Sequence, residues 1–218
     1  MSRSQIDLVV PVKSLDRAKS RLVGAADAGA GDPDAHVALV LAMVADTVRA
    51  ALRADVVRRV LVVTPDPVVA LAVEREGAQS LRDEPGGGLN AALDHGARFL
   101  RAADPGAVVG ALQADLPALR PDELSAAVDS AAGRRAFCPD QQGRGTTLLL
   151  STRAGDLRPR FGANSARAHQ AGGAVRLSGP WPSLRSDVDR EDDLRAARGL
   201  GLGECTAALL SSAYSLTP

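Results

Sequence analysis

Four cationic side chains crowd into the short segment that follows the first apolar run of the chain. The apolar run covers residues 7–12, and the cations that follow it are Lys13, Arg17, Lys19 and Arg21. Such a cluster suits a nucleoside triphosphate, whose charge must be neutralised before an incoming anion can approach. Lys13 and Lys19 are the only lysines of the chain. The ammonium group of lysine is a compact positive charge that can bind a phosphate oxygen. A solvated helical stripe of cations is the alternative.

An aspartate closes a second apolar run, AVVGALQADLPAL at 107–119. Because this run is apolar at nearly every position, it predicts a strand of a parallel sheet that is buried on both faces and ends before Pro117. Asp115 then lies at the carboxyl end of that strand, where open α/β sheets bind their ligands. A turn-capping role for Asp115 is the alternative.

A second aspartate at the end of a predicted strand is Asp187, within SDVDREDDL. Asp189 is predicted instead to cap the helix that begins near Arg190. Two carboxylates from different strand ends can bind Mg²⁺, which takes a few carboxylates together with phosphate oxygens and water. Asp115 and Asp187 are therefore the predicted metal ligands.

The segments GRGTTLLLS and RPRFGANSARAH offer a second site for an anion. Gly162 frees the backbone, Thr147 offers a hydroxyl, and Ser165 lies where a helix is predicted to begin. Exposed N–H groups at a helix amino terminus bind anions, and Arg160 and Arg167 flank this one. An ordinary capped surface helix is the alternative. Together with the cationic loop and the carboxylate pair, this pocket fits nucleotidyl transfer to an anionic acceptor.

Several classes of function are disfavoured by the composition. The cationic loop has no GxxxxGK[ST] pattern and GGGLN has no GxGxxG pattern, which argues against a Walker ATPase and a dinucleotide-binding dehydrogenase. The 26 basic and 26 acidic residues balance and aromatic residues are 2%, so neither nucleic acid nor a membrane is a predicted partner. Two cysteines and three scattered histidines give no disulfide framework or zinc spacing. With no signal-peptide pattern at its start, the chain is expected in the cytoplasm.

Alternating strands and helices must position these side chains. Turn and capping residues predict helices over about 34–54 and 67–76, a third after GGGLN and a fourth from Pro121. The strand VLVVT is predicted between the first two helices, and the strand that ends at Asp115 between the last two. This βαβα order predicts a three-layer, Rossmann-like α/β fold with a mainly parallel sheet. Residues 1–218 are expected to form a single domain, with LRSDVD as a strand leading into a helix and the tail after about 203 frayed.

Eight ordered motifs, which span the chain to about residue 201, resemble the CofC/FbiD family of guanylyltransferases of coenzyme F-420 biosynthesis. They are VVPVKSLDRAKSRL, LVLAMVADTV, VTPD, LNAAL, LQADLPAL, GRGTTLLL, RFGANSARAH and LRSDVD. The resemblance implies the nucleotide-diphospho-sugar transferase, or MobA-like, type of α/β fold. It also implies transfer of GMP from GTP to phosphoenolpyruvate, giving enolpyruvoyl-2-diphospho-5'-guanosine and pyrophosphate. Archaeal relatives are linked with 2-phospho-L-lactate.

The resemblance also implies roles for individual residues. The acceptor contacts and metal aspartates of the family fall on Thr147, Gly162, Ser165, Asp115 and Asp187. The motifs LNAAL and VTPD imply contacts with guanine and ribose, and Asn90 is the predicted contact among them. Where many members have Asp-Thr-Pro, this chain has 189–191 as Asp-Arg-Glu, a change at the start of the following helix.

These observations predict an enzyme in which a phosphate oxygen of the acceptor attacks the α-phosphorus of GTP in line. Mg²⁺ is the predicted cofactor, and Lys13 with its basic neighbours is expected to bind the nucleotide and stabilise the charge that leaves on pyrophosphate. The alternatives are 2-phospho-L-lactate or 3-phosphoglycerate as acceptor, or a non-catalytic nucleotide-binding regulator. A molybdopterin or sugar phosphate is disfavoured because the acceptor pocket looks compact. The predicted partners are GTP, phosphoenolpyruvate and a downstream transferase, with the protein a monomer or a homodimer.

Overall fold

Strands and helices alternate through the first half of the chain, as predicted. The computed structural model describes residues 5–15, 22–27, 29, 31–83 and 87–215. Within these ranges the strands are β1 (Ile6–Pro11), β2 (Val57–Thr64), β3 (Gln79–Arg82), β4 (Val108–Leu112), β5 (Ala136–Pro139), β6 (Thr146–Leu150) and β7 (Val175–Arg176). The helices are α1 (Pro33–Leu52), α2 (Pro67–Arg75), α3 (Gly88–Ala103), α4 (Pro121–Ala131), α5 (Ser165–Ala171), α6 (Pro182–Arg185), α7 (Glu191–Leu200) and α8 (Glu204–Ser215).

All of these strands join one sheet, in the order β3-β2-β1-β4-β6-β5-β7. The pairings are parallel except that β6 runs antiparallel to both of its neighbours. Successive side chains of β1 enter different hydrophobic clusters: Leu8 and Val10 pack with Met43 of α1, and Val9 packs with Leu93 of α3. Because neighbouring side chains of a strand point to opposite faces, the helices cover both faces. The predicted three-layer α/β fold is confirmed.

Aspartate-proline pairs begin two of the helices. Asp32 and Asp66 each accept a hydrogen bond from the backbone N–H two residues further on, and a proline follows each of them. The side-chain cap satisfies an N–H group that has no partner inside the helix, and the fixed φ of proline suits the first turn. These local signals place α1 and α2 close to their predicted bounds.

α3 packs directly against the sheet at Gly96. A Cβ atom at this position would lie 2.6 Å from a methyl group of Val9 and 2.9 Å from one of Val63. Any larger side chain would therefore push α3 away from β1 and β2. The start of α3, which follows β3, is held near the edge where the parallel strands end.

The tail after residue 203 is the helix α8 rather than the frayed segment that was predicted. The carboxylate of Asp46, in α1, accepts hydrogen bonds from the N–H groups of Cys205 (3.0 Å) and Thr206 (2.8 Å). A side chain of another helix thus caps α8. α1 itself has the length and the mean hydropathy of 1.6 that a membrane span needs, and its apolar residues such as Met43 and Val48 are buried in the core.

Two elements differ from the predicted ones. The segment QSLR at 79–82 forms the edge strand β3, although it lacks the apolar alternation that would predict a strand. The segment LRSDVD is not a strand of the sheet, because it begins within α6 and continues as irregular backbone. A hydrogen bond from the N–H of Val188 to the carbonyl of Asp115 (3.0 Å) ties this segment to the residues after β4.

Candidate active site

A cavity of about 420 Å³ opens at the edge of the sheet where β4 and β5 end. Because β6 runs antiparallel to both strands, its first residue lies at this same edge. The residues that line the cavity come from the segments after β4, after β5 and before α7, from the start of β6, and from the loop that leads into α5. They include Gln113, Asp140, Thr146, Gly162, Ser165 and Asp187. The sheet topology therefore brings together segments that are far apart in the sequence.

The carboxyl group of Asp187 lies among three other carboxyl groups. Burial, followed by the negative charges of Asp115, Asp140 and Asp189, raises the pKa of Asp187 to about 7. The backbone hydrogen bond between Val188 and Asp115 explains why Asp187 lies close to Asp115. Because crowded carboxylates repel one another, this arrangement favours a bound cation.

The donor set fits Mg²⁺ that is shared with a substrate. Among the residues that the structure describes, no group of three or more His, Cys, Asp or Glu side chains is placed to hold a metal ion. Mg²⁺ is commonly bound by one or two carboxylates plus substrate phosphates and water. Asp115 and Asp187 provide such a pair, and their role as metal ligands stays a prediction.

Asp189 does not cap the following helix, which corrects the prediction made for it. The N-cap of α7 is Arg190, and the carboxylate of Asp193 accepts the N–H groups of Asp189 (3.1 Å) and Arg190 (2.9 Å). The cap is thus supplied from the third position of the helix, and the Asp189 side chain lines the cavity. Asp189 is therefore a candidate site residue, although the pattern SDVDREDDL had suggested that it caps a helix.

Asp140 is a buried carboxylate at the cavity that sequence reasoning missed. Its two oxygens accept the N–H groups of Arg144 (2.8 Å) and Gly145 (2.7 Å), so it closes the turn between β5 and β6. A Cβ atom at Gly145 would collide with this carboxylate. The signal that singled out Asp115 could have found Asp140 too, because it directly follows the apolar run AFCP.

The structure places Thr146, one position before the predicted Thr147, in the wall of the cavity. Cys138 pairs with Leu148, but the next residue, Pro139, pairs with Thr146, so the register shifts and Thr147 is skipped. A bulge of this kind re-aims the side chains around it. Thr147 is fully buried, and its hydroxyl has no hydrogen-bond partner among the described residues.

Gly162 and Ser165, two of the predicted acceptor contacts, line the cavity. Gly162 has a φ of 137°, which favours glycine. The N–H groups of Ser165 and Ala166 donate to the carbonyls of Gly162 and Arg144, so the start of α5 does not present them to an anion. The cavity instead offers the hydroxyls of Ser165 and Thr146, which lie 3.2 Å apart.

His169 is buried behind the two hydroxyls. Its Nε2 accepts the N–H of Arg160 (2.9 Å), and its Nδ1 lies 2.9 Å from the hydroxyl oxygen of Thr146. Burial, followed by the positive charges of Arg135 and Arg160, lowers the pKa of His169 to about 4. The imidazole ring is therefore neutral near pH 7.

Asn90, the predicted nucleotide contact, uses both ends of its amide on Phe161. Its Nδ2 donates to the Phe161 carbonyl (3.0 Å), and its Oδ1 accepts the Phe161 N–H (2.8 Å). These bonds join α3 to the loop that precedes α5. The structure thus gives Asn90 a role in positioning the loop that precedes α5.

Of the four cations in the predicted phosphate loop, Lys13 lies within the described residues, and its side chain is exposed after the end of β1. Arg17, Lys19 and Arg21 lie outside the described residues. The carboxylate of Asp66 accepts the N–H of Leu15 (3.1 Å), which ties the loop after β1 to the end of β2. Lys13 is thereby held at the edge of the sheet where the parallel strands end.

The model of the MobA-like NTP transferase domain matches residues 39–178. Curated relatives named phosphoenolpyruvate guanylyltransferase match nearly the whole chain. The protein from Geodermatophilus obscurus is 56% identical over 208 residues, which are 94% of either chain. Those from Salinispora arenicola and Streptomyces coelicolor are 50% identical and cover 94% of this chain and 94% and 95% of their own.

Solved structures share the fold at low identity. A protein from Desulfovibrio desulfuricans described as a nucleotide-diphospho-sugar transferase has a TM-score of 0.66 at 17% identity, over 98% of this chain and 96% of its own. A nucleotidyl transferase from Methanothermobacter has a TM-score of 0.58 at 21% identity, over 90% and 97%. A Mycobacterium tuberculosis protein in complex with manganese has a TM-score of 0.51 at 20% identity, over 90% and 98%.

Proposed function

The chain belongs to the MobA-like NTP transferase family and, within it, to the phosphoenolpyruvate guanylyltransferases, and from this premise we propose that it transfers GMP from GTP to phosphoenolpyruvate. The products are enolpyruvoyl-2-diphospho-5'-guanosine and pyrophosphate, and the reaction belongs to coenzyme F-420 biosynthesis. The observation that carries the proposal is the 56% identity to the Geodermatophilus enzyme along 94% of both chains.

The reaction needs no general base. A phosphate oxygen of the acceptor, already ionised at neutral pH, forms the new bond to the α-phosphorus of GTP as the bond to the β-phosphate oxygen breaks. The electron pair of the broken bond leaves on pyrophosphate. Catalysis then consists of positioning and charge stabilisation, and we expect the exposed ammonium group of Lys13 to neutralise the nucleotide phosphates.

Asp115 and Asp187 would hold Mg²⁺, which supplies charge neutralisation at the phosphates of the bound nucleotide. The crowding that raises the pKa of Asp187 supports a cation at this point. The other two carboxylates differ in their surroundings: Asp140 is occupied by the turn that it closes, and Asp189 is exposed. Asp115 and Asp187 are therefore better suited than Asp140 and Asp189 to bind the metal.

The acceptor side is formed by the loop before α5 and the start of β6. Thr146, Gly162 and Ser165 line a cavity of about 420 Å³, which suits a small phosphorylated carboxylic acid better than a molybdopterin. Thr147, the contact that the resemblance implies, lies directly beside this wall and would contribute by its backbone or after a small movement of the bulge.

Mass spectrometry of the products tests the proposal. The protein is incubated with GTP and Mg²⁺ and with phosphoenolpyruvate, 2-phospho-L-lactate or 3-phosphoglycerate, with a downstream transferase present to withdraw the product. A guanylylated adduct chiefly with phosphoenolpyruvate is expected. A preference for either other acceptor would correct the substrate, and tight GTP binding without any pyrophosphate would favour a regulator of the same fold.

The proposed reaction also predicts where the product goes, where the enzyme acts and in which oligomeric state. A diphosphate-linked enolpyruvyl group is an activated donor, so we expect the product to be consumed by a second transferase. We expect the reaction to take place in the cytoplasm, where GTP is supplied, and the protein to act as a monomer or a homodimer. Size-exclusion chromatography with light scattering decides between these two states.

A further inference from the structure

We propose that His169 is a positioning residue that makes the hydroxyl pair of Thr146 and Ser165 a hydrogen-bond donor to an anionic group of the acceptor. The proposal rests on the proposed function, because it takes the cavity that these hydroxyls line as the acceptor site. It goes further in saying why the cavity prefers an anion and which buried side chain sets that preference.

The protonation state of His169 follows from what a backbone N–H can do. The Nε2 atom lies 2.9 Å from the backbone nitrogen of Arg160, and a backbone N–H only donates, so Nε2 must carry a lone pair. A neutral imidazole then has its proton on Nδ1. Nδ1 lies 2.9 Å from the hydroxyl oxygen of Thr146, so it donates to that oxygen.

One hydroxyl proton is left over for a ligand. The hydroxyls of Thr146 and Ser165 are 3.2 Å apart, and each carries one proton. One of these protons serves the hydrogen bond between the two groups. Because His169 donates to Thr146 and takes no proton from it, the other proton can be donated into the cavity, whichever way the bond between the hydroxyls runs.

The opposite tautomer would reverse the polarity of this wall. If Nδ1 accepted, Thr146 would donate to the ring and Ser165 would donate to Thr146, so lone pairs would face the ligand. Lone pairs repel a carboxylate or a phosphate, whereas a hydroxyl donor forms a charge-assisted hydrogen bond with it. The N–H of Arg160 therefore fixes the tautomer of His169. Through that tautomer it makes the hydroxyl pair a donor that favours an anionic ligand.

The surroundings of the ring hold this arrangement in place. His169 is 0% exposed, and the rings of Phe137 and Phe161 lie with their centroids 5.9 Å and 5.0 Å from its own. Phe161 is itself held at its backbone by Asn90. Burial and the positive charges of Arg135 and Arg160 lower the pKa of the ring and disfavour a second proton. The ring cannot turn over without breaking both hydrogen bonds.

Two substitutions test the hydrogen bonds at Nε2 and at Nδ1 of His169 separately. His169→Gln places its amide near the position of Nε2 and leaves Thr146 without its donor. His169→Asn places its amide nitrogen near the position of Nδ1 and can keep that bond. We expect His169→Gln to raise the KM of the acceptor by roughly 2- to 10-fold, the net effect of losing one ordinary hydrogen bond, because Thr146 no longer has the donor that orients its hydroxyl toward the ligand. The KM of GTP should be unchanged, and His169→Asn should have a smaller effect.

Phe137→Leu is the matched control, because it loosens the packing around the same ring but touches neither of its hydrogen bonds. It should retain an acceptor KM close to that of the unchanged protein. Equal effects of Gln and Asn at 169, or a rise of the acceptor KM in Phe137→Leu that matches His169→Gln, would show that packing is responsible and would overturn the proposal.

NMR of the unchanged protein provides a test that no unfolded variant can obscure. With ¹⁵N-labelled histidine at neutral pH, the ring of His169 should show a protonated Nδ1 and an unprotonated Nε2. A proton on Nε2, or on both nitrogens, overturns the proposal even if GTP turnover is normal. A protein that makes no guanylylated adduct with any acceptor contradicts the proposed function instead, and the NMR result still decides the polarity of the ring.

Discussion

Asp115 and Asp187 show how neighbouring groups change the properties of a carboxylate. Each follows a segment that reaches the same edge of the sheet, and a backbone hydrogen bond of 3.0 Å between Val188 and Asp115 brings the two segments together. The charge of Asp115 contributes to the raised pKa of Asp187. The pair is therefore costly without a cation and well suited to one.

Replacing Asp115 by asparagine removes a charge from this pair. We expect Asp115→Asn to lower kcat at least roughly a hundredfold, as the loss of an electrostatic group at a reacting centre commonly does, while circular dichroism and the thermal unfolding curve stay close to those of the unchanged protein. The measurement is the rate of pyrophosphate release. Asp156→Asn, an exposed carboxylate in the loop after β6, is the control, and near-normal turnover of Asp115→Asn would exclude its metal role.

The residue-level predictions from sequence succeeded where a single strand end decides the position. Asp115 follows a buried strand, so its place at the edge of the sheet could be predicted from a local run of apolar residues. Thr147 could not be separated from Thr146, because the register shift between Cys138 and Pro139 depends on how two strands pair. The role of Asp189 was misjudged because the helix begins one residue later, with Arg190 as its N-cap, and Asp193 supplies the carboxylate that accepts the N–H groups before the first turn.

At the scale of the elements, α3 holds the loop before α5 through Asn90. We expect Asn90→Ala to raise the KM of the acceptor by roughly tenfold, because both hydrogen bonds to Phe161 are lost, and to leave the KM of GTP nearly unchanged. Initial-rate kinetics with each substrate varied in turn measures both constants. A rise confined to the KM of GTP would restore the direct nucleotide contact that the motif LNAAL implied.

α8 depends on a single carboxylate of another helix. We expect Asp46→Ala to lower the free energy of unfolding by about 1–2 kcal/mol, because the N–H groups of Cys205 and Thr206 lose their acceptor. Denaturant unfolding followed by circular dichroism measures the change. Asp46→Asn keeps one acceptor oxygen and should lose less. An unchanged stability in Asp46→Ala would mean that α8 contributes little to the fold.

Most helices could be predicted from the sequence, because their signals are local. The pairs at 32–33 and 66–67 combine a capping aspartate with proline, and both helices begin there. The strand β3 and the helix α8 could not be predicted in the same way, since QSLR gains its partner from β2 and α8 gains its cap from α1. The order of the strands likewise depends on contacts between distant segments.

At the scale of the whole molecule, one buried ionic cluster stabilises the edge of the sheet opposite to the cavity. Asp7 is 0% exposed, and its carboxylate accepts hydrogen bonds from Arg58 (2.8 and 2.7 Å) and Arg59 (2.8 Å). Burial acts to raise the pKa of Asp7, but the hydrogen bonds and charges of the two arginines outweigh it and hold the pKa below its usual value.

This cluster predicts how stability depends on pH. Because the folded protein holds the Asp7 carboxylate at a lowered pKa, its contribution is complete above the pKa of the unfolded chain, about 4, and is lost as the pH falls through the folded value. The free energy of unfolding should therefore decline in acid, and Asp7→Asn should be less stable by about 2 kcal/mol at pH 7. Urea unfolding of both proteins from pH 7 to pH 3 measures this difference, which should shrink as the pH falls. A constant difference would assign the effect to packing.

The central position of β1 has a consequence for how the chain is made. Of the strands that the structure describes, β1 leaves the ribosome before the others, and β2 follows it from Val57, but β4, which covers its other side, begins only at Val108. Throughout that interval of synthesis the nascent chain carries an apolar strand with one unpaired edge, which is a template for pairing with a neighbouring chain. A translational pause before β4 has emerged from the ribosome would prolong this exposure, whereas a pause after β4 has emerged would find the edge already covered.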